Sequence, residues 1–102
     1  MDRIERIGEM ERRFNKASAA VANLENAIAG YEAVLPALKG LSDYQESGRW
    51  LRDFEADEKG RLPEDLRRGV LSEDGLYDLL RRADALSARL GIKTNEAENS
   101  PI

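Results

Sequence analysis

Apolar residues recur in steps of three and four along the first part of the chain, and no charged residue interrupts the series. A helix with about 3.6 residues per turn holds such positions on one side, as the a and d positions of a heptad repeat. The pattern therefore predicts a long N-terminal helix with one apolar stripe, called the N-terminal seam below. Its members are Ile7, Met10, Phe14, Ala17, Val21, Leu24, Ile28, Tyr31, Leu35 and Leu38.

The predicted helix has a clear start and a clear interruption. Asp2 is suited to an N-cap, because its carboxylate can accept a bond from an unpaired N–H of the first turn. Pro36 lacks the N–H that an uninterrupted helix needs, so we expect a kink or a new helix there. A straight helix over residues 2–35 would be about 50 Å long, more than the remaining chain can cover. We therefore expect Ile7, Met10, Phe14 and Val21 either to pair with another chain or to pack on the C-terminal helix.

Two shorter helices are predicted in the rest of the chain. Ser47 is the expected cap of the first, which carries Trp50, Leu51 and Phe54 on one face and ends at Gly60. Val70 and Leu71 are expected to point into the core and hold the next connection in place. Ser72 is the expected cap of the last helix, which Gly91 ends. The predicted buried stripe of that helix consists of Leu76, Leu79, Leu80, Ala83, Leu86 and Leu90.

These elements predict an all-α fold in which a long, kinked N-terminal helix packs against two shorter helices as an antiparallel hairpin or bundle. We expect residues 1–92 to form a single helical domain. The polar residues 93–102 contain no helix signal, and we expect them to be disordered.

Composition narrows the function classes. The chain has no cysteine and no histidine, so disulfides, thiol nucleophiles and the commonest general base are absent. The net charge is −4, with the excess of acids concentrated in residues 41–60, and no basic patch is present to attract a phosphate backbone. Direct nucleic-acid binding is therefore not expected. Neither a signal peptide nor a membrane span is expected, which favours a cytoplasmic protein.

Residues 44–80 contain a long and specific pattern: Tyr44, Ser47, Trp50, Asp53, the acidic run Glu55 to Glu58, Gly60, Leu62-Pro63, Asp65-Leu66, the run Arg68 to Asp74, and Leu79-Leu80. This pattern resembles the DUF4298 family, a domain of unknown function found in small bacterial proteins. The likeness extends over about residues 25–92. It departs at Gln45, where the family often has a second tyrosine. The resemblance implies a small helical bacterial protein and supplies no reaction, ligand or partner.

One acidic cluster contradicts the local rules for a stable helix. Asp53, Glu55, Asp57 and Glu58 lie near the C-terminal end of a helix, where the macrodipole disfavours acids. Such contradictions are either compensated within the fold or functional. In the compensated interpretation, the arginines at 52, 67 and 68 fold over the cluster and pair with it.

Two functional interpretations of this cluster stay open. In the first, Trp50 and Phe54 anchor a basic protein partner beside Asp53, Asp57 and Glu58. In the second, Asp53, Asp57, Glu58 and Asp74 hold Mg²⁺ through carboxylate oxygens. All-α nucleotide pyrophosphohydrolases bind metal with helical acids in an E-x-x-E pattern followed at a distance by E-x-x-D. The spacing from Glu55 to Glu58 fits the first half of that pattern, but the second half fails at Leu76.

The function best supported by the sequence is a non-enzymatic interaction or regulatory module that self-associates through Ile7, Met10, Phe14 and Val21. No catalytic residue and no cofactor is assigned. One alternative is a Mg²⁺-dependent hydrolase that uses the acidic cluster. Another is an acidic inhibitor of a nucleic-acid enzyme, suggested by small size and focused negative charge.

Overall fold

The computed structural model of the protein describes residues 2–92, and over that range the all-α prediction is confirmed. Four α-helices follow one another, and none of the described residues lies in a β-strand. The helices are α1 (Arg3–Ala33), α2 (Leu35–Glu46), α3 (Arg49–Glu58) and α4 (Gly75–Leu90), with a 3-10 helix over Gly69–Leu71. The tail predicted to be disordered, residues 93–102, lies outside the described residues.

The ends of α1 follow from local chemistry. Asp2 caps the helix as predicted, because its Oδ1 accepts a 2.7 Å hydrogen bond from the N–H of Glu5. At the other end the Val34 N–H bonds to the Tyr31 carbonyl at 3.1 Å, which tightens the last turn. The interruption expected at Pro36 is confirmed as the start of a new helix, with Pro36 the second residue of α2. A proline is tolerated there because first-turn N–H groups have no partner within the helix.

A tight turn joins α2 to α3, and a glycine makes it possible. Gly48 has φ of 84° and is the N-cap of α3, a left-handed conformation that L side chains rarely adopt. The prediction that Ser47 is the cap is therefore wrong by one residue. Ser47 still assists the helix start, because its hydroxyl accepts a 3.3 Å bond from the N–H of Arg49.

The start of α4 also differs from the prediction. Ser72 is not its cap, since the helix begins at Gly75 after Asp74. The 3-10 helix displaces this start, because the Ser72 N–H bonds back to the Gly69 carbonyl at 3.2 Å and Ser72 itself is extended. The Ser72 hydroxyl then lies so close to Gly75 that a Cβ there would overlap it. A glycine at this position thus permits the close approach.

The core lies between the 3-10 helix and α4, and α2 and α3 also pack in this part of the chain. Its buried residues are Leu71, Leu76, Ala83 and Ser87. Leu71 is buried as predicted, whereas the Val70 side chain is exposed.

The predicted stripe of α4 is too wide. Leu79, Leu86 and Leu90 are all more than 40% exposed. Burial instead follows positions 76, 80, 83 and 87, of which Leu80 is half-buried. This line includes the two small residues Ala83 and Ser87, and small side chains allow neighbouring elements to approach a helix closely.

By its contacts the chain divides after Val34 into two compact units. The first contains α1, and the second contains α2, α3, the 3-10 helix and α4. None of the described helices combines the length and the apolar character needed to cross a membrane.

Candidate interaction surfaces

The N-terminal seam is exposed on α1 from Ile7 to Leu24, whereas its members Ile28 and Tyr31 are half-buried. Its side chains are well exposed at the four positions expected to self-associate: Ile7 is 59% exposed, Met10 46%, Phe14 66% and Val21 58%. None of the α1 residues is buried. Since α1 is one continuous helix over Arg3–Ala33, these residues form a single apolar strip on its surface.

Charged pairs on α1 support the helix and leave this strip bare. Glu9 accepts hydrogen bonds from Arg12 at 2.6 Å and from Arg13 at 3.2 Å. The Glu9–Arg13 pair has the i,i+4 spacing and order that favours a helix. Exposed pairs of this kind contribute only about 0.3–0.5 kcal/mol each, so they help to hold α1 without fixing any tertiary contact.

One of the three arginines expected to neutralise the acidic cluster does so. Arg68 Nη1 donates a 2.7 Å hydrogen bond to Asp57 Oδ1, and both side chains are about 70% covered. Arg52 and Arg67 make no ion pair within residues 2–92. The cluster is thus partly compensated, and Asp57 is the residue that Arg68 compensates.

Arg68 also organises the connection between α3 and the 3-10 helix. Its Nη2 donates to the carbonyls of Pro63 and Glu64 at 3.0 and 3.1 Å, and its Nε donates to the carbonyl of Leu66 at 3.2 Å. A planar guanidinium with five N–H groups can serve several acceptors at once. One side chain therefore ties three loop carbonyls to the carboxylate of Asp57 on α3.

Asp53, the first acid of the cluster, is held by a neighbouring helix. Tyr44 on α2 donates a short 2.5 Å hydrogen bond to Asp53 Oδ2 on α3. Partial burial, the hydrogen bond to Asp53 and the charge of Asp53 together raise the pKa of Tyr44 to about 12, against an opposing effect of Arg49. This partner was not predicted from the sequence, where the only signal is a tyrosine nine positions before an acid across a predicted turn.

The two aromatic residues proposed as anchors take part in packing within the same unit. The rings of Trp50 and Phe54 are stacked, with centroids 5.1 Å apart and planes 16° from parallel. Trp50 Nε1 also donates a 2.8 Å hydrogen bond to the Val70 carbonyl, which ties the 3-10 helix to α3. Val70 therefore holds the connection in place through its carbonyl rather than its side chain.

Glu55 and Glu58 are the exposed remainder of the acidic cluster. Within residues 2–92 neither has an ion-pair partner. No three acidic side chains of the described residues are grouped in a way that could hold a metal ion. The structure thus adds no support to the magnesium alternative at Asp53, Asp57, Glu58 and Asp74, which stays a prediction, as does the basic-partner interpretation.

A shallow apolar pocket of about 350 Å³ opens beside the start of α4. It offers almost no polar surface, so it lacks the convergent polar groups that orient a small-molecule ligand. This pocket was not predictable from the sequence, because it depends on how the 3-10 helix lies against α4. Its lining residues are Leu41, Gly69, Val70, Gly75, Leu76 and Leu79.

Comparison with known proteins gives one match. The family model described as a domain of unknown function (DUF4298) matches residues 7–90, which agrees with the resemblance noted from the sequence. No curated protein and no solved structure matches the chain.

Proposed function

We propose, from the premise that this chain belongs to the DUF4298 family, that it is a non-enzymatic interaction module that self-associates through the N-terminal seam of α1. Family membership supplies no activity, so the proposal depends on the surface of this chain. The observation that carries it is the exposure of Ile7, Met10, Phe14 and Val21 on one continuous helix. A contiguous exposed apolar surface is characteristic of interaction sites.

The acidic cluster is the weaker candidate for the main contact surface. Asp57 and Asp53 are engaged by Arg68 and Tyr44, and Trp50 is engaged by Val70. A partner that used these side chains would compete with hydrogen bonds that hold α2, α3 and the loop together. Ile7, Met10, Phe14 and Val21 are exposed and have apolar side chains that take no part in these hydrogen bonds.

The chemistry of the seam is suited to another helix. Its residues follow a and d spacing over several heptads, and in a coiled coil each such side chain inserts between four residues of a facing helix. Covering a half-exposed aliphatic or aromatic side chain contributes on the order of 1 kcal/mol. Association itself costs several kcal/mol, so most of the seam must be covered for the complex to be stable.

Sedimentation equilibrium over a wide concentration range tests the proposal. The wild type is expected to show a concentration-dependent dimer or small oligomer. Phe14→Glu places a charge on the seam and should abolish the association. Ala19→Glu is the matched control, because residue 19 lies on α1 outside the seam and is already exposed. It should associate like the wild type.

Two results would overturn self-association. One is a wild type that stays monomeric at the highest concentration reached. The other is a Phe14→Glu variant that associates as strongly as Ala19→Glu. In either case the seam would serve a different protein or be covered by the C-terminal helix.

The proposal includes a cytoplasmic location and no direct nucleic-acid or membrane binding, in keeping with a net charge of −4. Its principal rival is the Mg²⁺-dependent hydrolase. The rival predicts that millimolar Mg²⁺ or Mn²⁺ raises the melting temperature and that Asp57→Asn removes this rise. The interaction module predicts no metal-dependent shift in either protein.

A further inference from the structure

The charged residues beside the N-terminal seam indicate the relative orientation of two associated copies. In a coiled coil the e and g positions flank the a and d residues and contact the neighbouring helix. With Ile7 at a and Met10 at d, the e positions are Glu11, Ser18, Glu25 and Glu32, and the g positions are Arg6, Arg13, Ala20 and Ala27. One edge of the seam is therefore acidic, and the other edge is basic or small.

We infer that the occupant of the seam is a second copy of this chain, aligned parallel and in register. This inference rests on the proposed self-association and adds the orientation and register of the two copies. In a parallel pair each g residue faces the e residue five positions later in the other copy. Arg6 of each copy then faces Glu11 of the other, which gives two symmetric attractive pairs. Arg13 faces Ser18, and the remaining acids face Ala20 and Ala27.

An antiparallel pair of two copies would bring like charges together. There e faces e and g faces g, so the acidic edges of the two helices would lie opposite each other. With the α1 parts of the seams overlapped, so that Ile7 meets Tyr31, Glu11 of each copy would face Glu25 of the other, and no opposite charges would meet. Like charges across such an interface favour the alternative arrangement.

The required side chains are available on α1. Within residues 2–92 the side chains of Arg6 and Glu11 have neither an ion pair nor a hydrogen bond. The arginine at the next g position, Arg13, is held by Glu9 of the same helix, and its counterpart Ser18 needs no charge.

Three of the four a positions on α1 agree with this arrangement. Ile7, Val21 and Ile28 are β-branched, as is usual at a in parallel two-stranded coiled coils, whereas Phe14 is not. Ala17 and Tyr31 at d depart from the leucine that such dimers prefer. The main support for a parallel orientation is therefore the charge of the residues at e and g.

Single-cysteine variants test the orientation, since the natural chain contains no cysteine. In a parallel pair residue 10 meets residue 10, so Met10→Cys should crosslink to itself in a glutathione redox buffer, and Ile28→Cys likewise. In the antiparallel pair residue 10 meets residue 28, so crosslinks would form only in a mixture of the two variants. Ala19→Cys, outside the seam, measures crosslinking by random collision.

The outcomes separate this inference from the proposed function. Self-crosslinks of both seam variants, well above the Ala19→Cys level, support the parallel pair. A wild type that dimerises while crosslinks form only between Met10→Cys and Ile28→Cys overturns the orientation and leaves self-association standing. Crosslinking no greater than that of Ala19→Cys also overturns the register. A monomeric wild type overturns both.

Charge reversal provides a second readout. Arg6→Glu replaces two attractive pairs with two repulsive ones and should weaken the dimer by roughly tenfold. A mixture of Arg6→Glu and Glu11→Arg should restore association, because the mixed pair regains two attractive contacts. Lys16→Glu makes the same charge change at an outward position and should leave the affinity nearly unchanged. Equal weakening by Arg6→Glu and Lys16→Glu would overturn the Arg6–Glu11 pairing.

Discussion

The two units of this chain form an instructive contrast. α1 has the most regular apolar pattern in the sequence, yet none of its residues is buried. The second unit has shorter and less regular helices, yet it contains all the buried residues found among residues 2–92. A regular pattern therefore predicts a helix and the side on which it is apolar. Burial requires a second surface, which α2, the 3-10 helix and α4 supply for one another.

The largest expected effect comes from truncating the same residue type in each unit. Leu76 is 4% exposed and Leu24 is 56% exposed. Leu76→Ala should lower the free energy of unfolding by about 2–4 kcal/mol, because it removes buried methyl groups and leaves a cavity. Leu24→Ala should change it by less than about 0.5 kcal/mol in dilute protein.

Urea unfolding, followed by circular dichroism and by the fluorescence of Trp50, the only tryptophan, measures this contrast. Comparable losses in the two variants would contradict it. Such a result would mean that residues of the same chain cover the seam of α1 in solution.

The next largest effect is expected from Arg68, which holds the loop of the second unit against α3. Arg68→Met should lower the free energy of unfolding by about 1–3 kcal/mol, because Asp57 and three loop carbonyls lose their donor. Arg67→Met is the matched control, since Arg67 makes no ion pair within residues 2–92. Its loss should stay within about 0.5 kcal/mol.

Equilibrium unfolding and limited proteolysis of the loop over residues 59–68 distinguish the two arginine variants. Only Arg68→Met should expose the loop to faster cleavage. Equal sensitivity of the two variants would indicate that the loop is held by its backbone rather than by the guanidinium of Arg68.

The smallest expected effect concerns the hydrogen bond between α2 and α3. Tyr44→Phe should reduce stability by about 1 kcal/mol at neutral pH, because Asp53 loses its donor. The folded-state pKa of Tyr44 is raised to about 12 from an ordinary 10.0. Its contribution is therefore fully present below pH 10 and is lost as the pH rises toward 12.

The difference between wild type and Tyr44→Phe isolates this residue from the other groups that titrate at high pH. Tyrosinate absorbance should reveal one group that ionises near pH 12 in the wild type and is missing in the variant. Unfolding free energies of the two proteins should converge between pH 10 and 12. A stability difference that stays constant through that interval would contradict the assigned hydrogen bond.

Features set by nearby residues were predictable from the sequence. The cap at Asp2, the interruption at Pro36 and the termination of α4 at Gly91 each depend on a few adjacent positions, and all three are confirmed. The start of α4 was missed because Ser72 was expected to cap it, whereas the 3-10 helix over Gly69–Leu71 leaves Ser72 extended and the helix begins at Gly75.

The sequence identified the residues of the candidate site but not which of them form pairs. The sequence indicated an acidic cluster and three arginines that could neutralise it, but not that Arg68 would take Asp57. It also gave no indication that Tyr44 would hold Asp53. Both pairings join residues from different elements, so they depend on how the chain folds back rather than on spacing along one helix.

The sequence by itself determined that this protein is built from helices, where α1 begins, that a new helix starts beside Pro36, and which side of α1 is apolar. These properties depend on interactions within a few residues along the chain, where spacing fixes geometry. Only the tertiary structure decided that Leu76 and Ser87 are buried while Leu79 and Leu86 are exposed. It also decided that Arg68 rather than Arg67 binds the acidic cluster. The reason is geometric: neighbouring side chains point in different directions, about 100° apart on a helix, so which of them meets another element depends on where that element lies.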